Sequence, residues 1–269
     1  MLKTIGDMRV GDVLTFGQYS VHPDCPPSEI SWLKADDDCS FISEFVVDYL
    51  AFDAPEENYH GGNPNYVTSN LLAFLNSEDT EWYHPAHPLD CAPGGASRVV
   101  GMAAYGDRPG FLHDFEPYEL EAILPVNYAI TLDSGEWTMS SRVRLPSAED
   151  IIGIYAKPLK LFRKKGKRAT PTRDLFNVKR GYMHTDGITS FVGYWLRDQN
   201  GRYVERFTRN SCLEDMFPLS GCGVRPMLNL NPSLEVFESD TYFGYVLSAS
   251  KKESASDQDI YQLLGLAQP

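Results

Sequence analysis

Two arginines stand inside stretches of this chain that otherwise read as core: Arg197 in "GYWLRD" and Arg225 in "GVRPMLNL". A guanidinium always carries its charge and is rarely buried without a partner. Any fold that buries these runs must bring a carboxylate or a backbone carbonyl to each arginine. Two arrangements meet that demand: a binding or catalytic site, or a structural clamp between strands.

The material for such a core is ample. The chain has 269 residues, 42% of them hydrophobic and 12% aromatic, which excludes global disorder and fits one large domain or two small ones. The formal net charge of -13 disfavours nucleic acid and anionic membranes as partners, because both are bound mainly through Lys and Arg. Five scattered cysteines without a CxxC pair do not make a disulfide framework. Free thiols in a reducing compartment are the default, with a Cys212–Cys222 bridge left open. The opening "MLKTIGDMRVGDVLTFG" lacks the apolar run of a signal peptide, and no stretch is long and apolar enough to span a bilayer. A soluble chain made in the cytoplasm is expected, able to leave a cell by lysis, as phage components do, or by signal-less secretion.

Strands are expected at "VGDVLTFGQY", "ISWLKA" and "CSFISEFVVDYLAF", the last two flanking an acidic turn at Asp36–Asp38. That turn lacks the spacing of an EF-hand calcium loop. A helix is expected in "NYVTSNLLAFLN", capped by Thr68 or Ser69. A second is expected in "FEPYELEAILPV", with Pro117 in its first turn and Tyr118, Leu120, Ile123 and Leu124 as its buried stripe. "RVRLPSAEDIIG" reads as a strand entering a helix. Insertions are placed at about 84–109 and 157–180. The first holds His84, His87 and Cys91, three zinc-type donors without a fourth, so no metal is expected. The second holds "RKKGKR", the one basic region, read as an exposed loop. His113, Asp114 and Glu116 read as helix-start chemistry rather than an acid–base cluster. Strands separated by turns follow from Gly181 to Leu230, and a short helix is expected at "DQDIYQLLGL". No GxSxG, P-loop, GxGxxG or HExxH occurs, so neither a catalytic residue nor a cofactor is expected.

The order "VGDVLTFGQY", "SWLKA", "SNLLAFLN", "FEPYELEAILPV", "RVRLPSAEDI", "KRATPTRDL", "YWLRD" and "GVRPMLNL" resembles a bacterial and phage family catalogued as domain of unknown function 6273. Tyr194 and Asp198 depart from that family's usual W-W-L-R-S. The resemblance implies an α+β chain with a C-type lectin-like fold: a twisted antiparallel sheet, two main helices and long loop insertions. It implies a single domain over 1–231 followed by a C-terminal extension over 232–269. In such a frame Trp195 and Leu196 pack in the core, and Arg197 and Arg225 act as the clamp. Function then sits on the loops that the frame holds.

The resemblance implies a non-enzymatic module that binds a protein or glycan, in a phage- or prophage-associated adhesion or virion setting. Arg202, Tyr203, Arg206, Arg209, Asn210 and Phe217 are the candidate contact residues, since Tyr and Arg serve well at interfaces. The alternative is a structural or assembly protein, such as a capsid or tail decoration, with homo-oligomers or virion assembly as its partners. A formylglycine-generating type of oxidase ranks third, with Cys212 and Cys222 as its copper pair.

Overall fold

Burial alternates along Ser28–Lys34, with Ile30, Trp32 and Lys34 turned inward. A strand places successive side chains on opposite faces, so this pattern gives one core face and one outer face. The computed structural model describes residues 3–21, 26–55, 60–82, 104–132, 135–156, 193–208, 212–239 and 244–248. In chain order the elements begin with β1 (Lys3–Thr4), β2 (Val13–Tyr19), β3 (Ser28–Lys34), β4 (Ser40–Ser43) and β5 (Asp48–Ala51). A 3₁₀ turn (Tyr66–Thr68), α1 (Asn70–Leu75) and α2 (Pro117–Ala122) follow, then β6 (Ile123–Leu124), β7 (Val126–Leu132), β8 (Gly135–Ser141) and β9 (Val143–Arg144). After α3 (Ala148–Ala156) come β10 (Tyr194–Asn200), β11 (Tyr203–Phe207), β12 (Leu213–Met216), β13 (Gly221–Val224), β14 (Met227–Leu230), β15 (Glu235–Glu238) and β16 (Tyr245–Leu247).

These strands form a curled nine-stranded sheet in the order β1-β15-β16-β2-β3-β4-β14-β6, with β9 also on β14, a five-stranded sheet in the order β12-β11-β10-β13-β5, and the β7–β8 hairpin. Pairing is antiparallel except for β16 with β2 and β10 with β13. The class is mixed α+β, mostly sheet with few helices. No helix among the described residues is long and apolar enough to cross a membrane.

The run "CSFISEFVVDYLAF" does not make one strand. It crosses from β4 in the large sheet to β5 in the smaller one, with Val46 and Val47 buried in the crossing. Both sheets therefore close on one core, where Trp32, Phe41, Phe52, Phe74, Tyr66 and Trp195 are fully enclosed. Phe52 meets Trp195 edge-on at 5.6 Å between ring centres, a favoured aromatic geometry. Ser69 accepts from the Leu72 amide and caps α1.

α2 is shorter than its pattern predicts. Glu116 and Glu119 form a reciprocal capping box, and Pro117 sits in the first turn. The chain then turns extended, and Ile123 and Leu124 pair with Leu230 and Asn229 of β14. Leu124 is exposed and Tyr118 and Leu120 are half-buried, while Glu119 and Ala122 point inward. The expected stripe is corrected accordingly: strand pairing takes the residues that were to continue the helix. Within the expected 84–109 insertion, Tyr105 and Arg108 belong to the core. Residues 84–103 and the basic stretch 157–180 lie outside the described residues, as do His84, His87, Cys91 and the expected helix at "DQDIYQLLGL". Beyond residue 231, β15 and β16 add two strands to the large sheet.

Candidate functional site

Buried arginines tie the elements together. Arg197 donates to the Leu145 carbonyl at 2.9 Å and to Asp150 at 2.6 Å, and its guanidinium lies 5.0 Å from the Tyr128 ring centre. Arg225, only 2% exposed, donates through Nε to the Ser43 carbonyl at 2.8 Å and stacks over Tyr194. Trp195 donates its indole N–H to the Leu50 carbonyl at 2.9 Å. The first arginine joins β10 to the start of α3, and the second joins the β13–β14 link to the end of β4. A third arginine escaped sequence reasoning. Arg108 pairs with Asp48, which also accepts from the Tyr19 hydroxyl. Burial works against the Arg108 charge, but Asp48 reverses that and holds the group firmly protonated. Arg108 follows a Gly/Pro-rich loop with no periodicity, so no sequence signal marked it as internal.

These contacts position the outer face of the five-stranded sheet. Asn200 pairs with Tyr203, and Gly201 and Arg202 form the two-residue turn between them. Gly201 has φ +58, the left-handed conformation such turns require. Tyr203 lies 4.8 Å from Phe217 between ring centres, and Arg202 lies over the Tyr203 ring at 5.7 Å. Phe217 is 45% exposed and Leu213 44%. Arg202, Tyr203 and Phe217 thus come together. Arg206 does not join them, because it pairs across β10 with the buried Trp195 and bonds Glu214 at 2.7 Å on the opposite side. Arg209 and Asn210 lie outside the described residues.

The pairing of β11 with β12 sets two carboxylates side by side on the same outer face, with a third close by. Glu205 sits directly opposite Asp215, and Asp198, in the irregular stretch of β10, lies close enough for its charge to act on Glu205. Burial pushes the Glu205 carboxyl up, and the charges of Asp198 and Asp215 push it further. Burial likewise raises Asp198, although it accepts from the Ala148 amide at 2.7 Å. Like charges set opposite each other across a ladder are destabilising. Sequence reasoning missed this row; the pairing of "YVERF" with "LEDM" was its only available sign.

Two further features complete the chemistry. Cys212 and Cys222 are free thiols. Cys222 is buried, donates to the Gly193 carbonyl at 3.1 Å, and is pushed up to about 12 by burial, so it stays protonated at neutral pH. Cys212 is exposed near Thr208. The second feature is a cleft of about 320 Å³ near Gly17, lined in part by Phe16, Glu29, Glu116, Tyr118 and Glu119. Glu119 is occupied there by the amides of Gly17 and Glu116. No cluster of metal-ligating side chains occurs among the described residues.

A family model described as Domain of unknown function (DUF6273) matches residues 41–232. No curated protein and no solved structure matches the chain.

Proposed function

We propose that this chain, which belongs to the DUF6273 family, is a non-enzymatic binding module that recognises a protein or glycan through the outer face of its five-stranded sheet. The supporting observation is the grouping of Arg202, Tyr203 and Phe217 at one hairpin end, with Phe217 45% exposed. Aromatic and arginine side chains offer large contact area with few rotatable bonds, which suits them to recognition. The same reading takes the frame as C-type lectin-like and its setting as a phage- or prophage-associated adhesion component; both rest on the family resemblance.

The test compares the native chain with a Tyr203→Ala/Phe217→Ala variant on a glycan array and on an array of bacterial surface proteins. Equal thermal unfolding midpoints confirm that the variant stays folded. A ligand retained by the native chain and lost by the variant supports the reading. Identical binding by both, or none by either, overturns it.

A further inference from the structure

We infer that the ligand of this face is an extended segment of a partner protein that pairs with the open edge of β12 and lays a lysine or arginine over the Asp198–Glu205–Asp215 row. This rests on the binding-module reading and names its ligand class.

Among the described residues, β12 has β11 on one side and no strand on the other. An exposed edge offers a line of backbone donors and acceptors to an added strand. Along this edge Leu213 and Asp215 share the outer face, and Phe217, just past β12, meets Tyr203 on that face, so an apolar, an acidic and an apolar position follow one another at two-residue intervals. An incoming strand that alternates apolar, basic and apolar residues on that face matches all three.

Charge complementarity selects the occupant. Glu205 faces Asp215 across the ladder, and Asp198 adds a third carboxylate. Two neighbouring cations are committed elsewhere, and the third, Arg202, is exposed at the hairpin end. Arg206 bonds Glu214 on the other side of the sheet, Arg197 is held by Asp150, and Arg202 sits over Tyr203 at the hairpin end. A basic side chain laid on the row removes the repulsion that the isolated sheet retains. A second copy is a poor occupant. Two-fold antiparallel self-pairing centred on β12 sets Glu214 against Glu214, or Asp215 against Asp215, of the other copy, adding repulsion of the same kind.

The probe is a fluorescein-labelled peptide, Ser-Val-Thr-Arg-Thr-Val-Ser, read by fluorescence anisotropy against the full chain. Its control carries Glu in place of Arg. The Arg peptide is expected to bind at least about tenfold more tightly than the Glu peptide and to weaken as salt rises. A Glu205→Gln/Asp215→Asn variant is expected to lose about tenfold of that affinity, and N-methylation of alternate peptide amides to abolish it. Equal affinity for both peptides, or no effect of the double substitution, overturns the inference. So does concentration-dependent dimerisation that the same substitutions strengthen, which assigns the edge to a second copy. Peptide binding that emerges only after residues 157–180 are deleted assigns the edge to the chain's own basic run and also overturns it. In each case the array result with Tyr203→Ala/Phe217→Ala still decides separately whether the face binds anything.

Discussion

Two donors converge on one oxygen of Asp150: the Arg197 guanidinium at 2.6 Å and the Ser147 amide at 2.8 Å. Burial alone would raise this carboxyl. Arg197, the amide and hydroxyl of Ser147, and Arg144 overcome that and leave it below the usual carboxylate range. A group depressed in the folded state adds stability above its unfolded value, and that stability is lost as pH falls through the folded value. The native chain is therefore expected to lose stability as pH drops below about 4, the ordinary aspartate value. Asp150→Asn is expected to cost about 3–5 kcal/mol at pH 7, because it leaves Arg197 and Arg144 buried without their carboxylate. Urea unfolding across pH checks both points: the gap between native and variant should narrow toward pH 2 and stay constant above pH 6. That Arg197 and Arg225 need internal partners was legible from the residues around them. Which partners they find was not. Asp150 lies 47 residues from Arg197, and Ser43 lies 182 from Arg225, distances over which local patterning carries no information.

Elements show the same division. The caps of α1 and α2 were legible because capping is local: a serine or glutamate acts on amides within three residues of itself. The end of α2 was not, because β14, more than a hundred residues later, captures Ile123 and Leu124. Neither was the site on the outer face, since the apposition of Glu205 with Asp215 exists only once β11 and β12 are in register. The pairing of β2 with β3 shifts register between Thr15 and Gln18, and this irregularity offers a test at this scale. Gly17 has φ +70, and a Cβ there would lie 2.2 Å from the Phe115 ring. Its amide donates to Glu119, so the irregularity also holds α2 in place. Gly17→Ala is expected to cost at least about 2 kcal/mol through overpacking and backbone strain together. Adding Phe115→Leu should recover part of that loss if the ring is the obstacle, which a double-mutant cycle of urea midpoints measures.

At the scale of the whole molecule, the matched family region and the folded unit differ. Residues 41–232 omit β1, β2, β3, β15 and β16. The missing strands carry Leu14, Phe16 and Trp32, which lie in the shared core. A chain trimmed to 41–232 is expected to show no cooperative thermal transition and to bind a hydrophobic dye, while the full chain unfolds in one step. Calorimetry and dye fluorescence decide this; a sharp transition in the trimmed chain would show that the outer strands are dispensable. One pairing bears on how the molecule is born. Lys3 lies opposite Val236, and Leu14 lies beside Tyr245. β1 and β2 are therefore synthesised long before β15 and β16, so the nascent chain carries an open sheet margin until those later strands arrive.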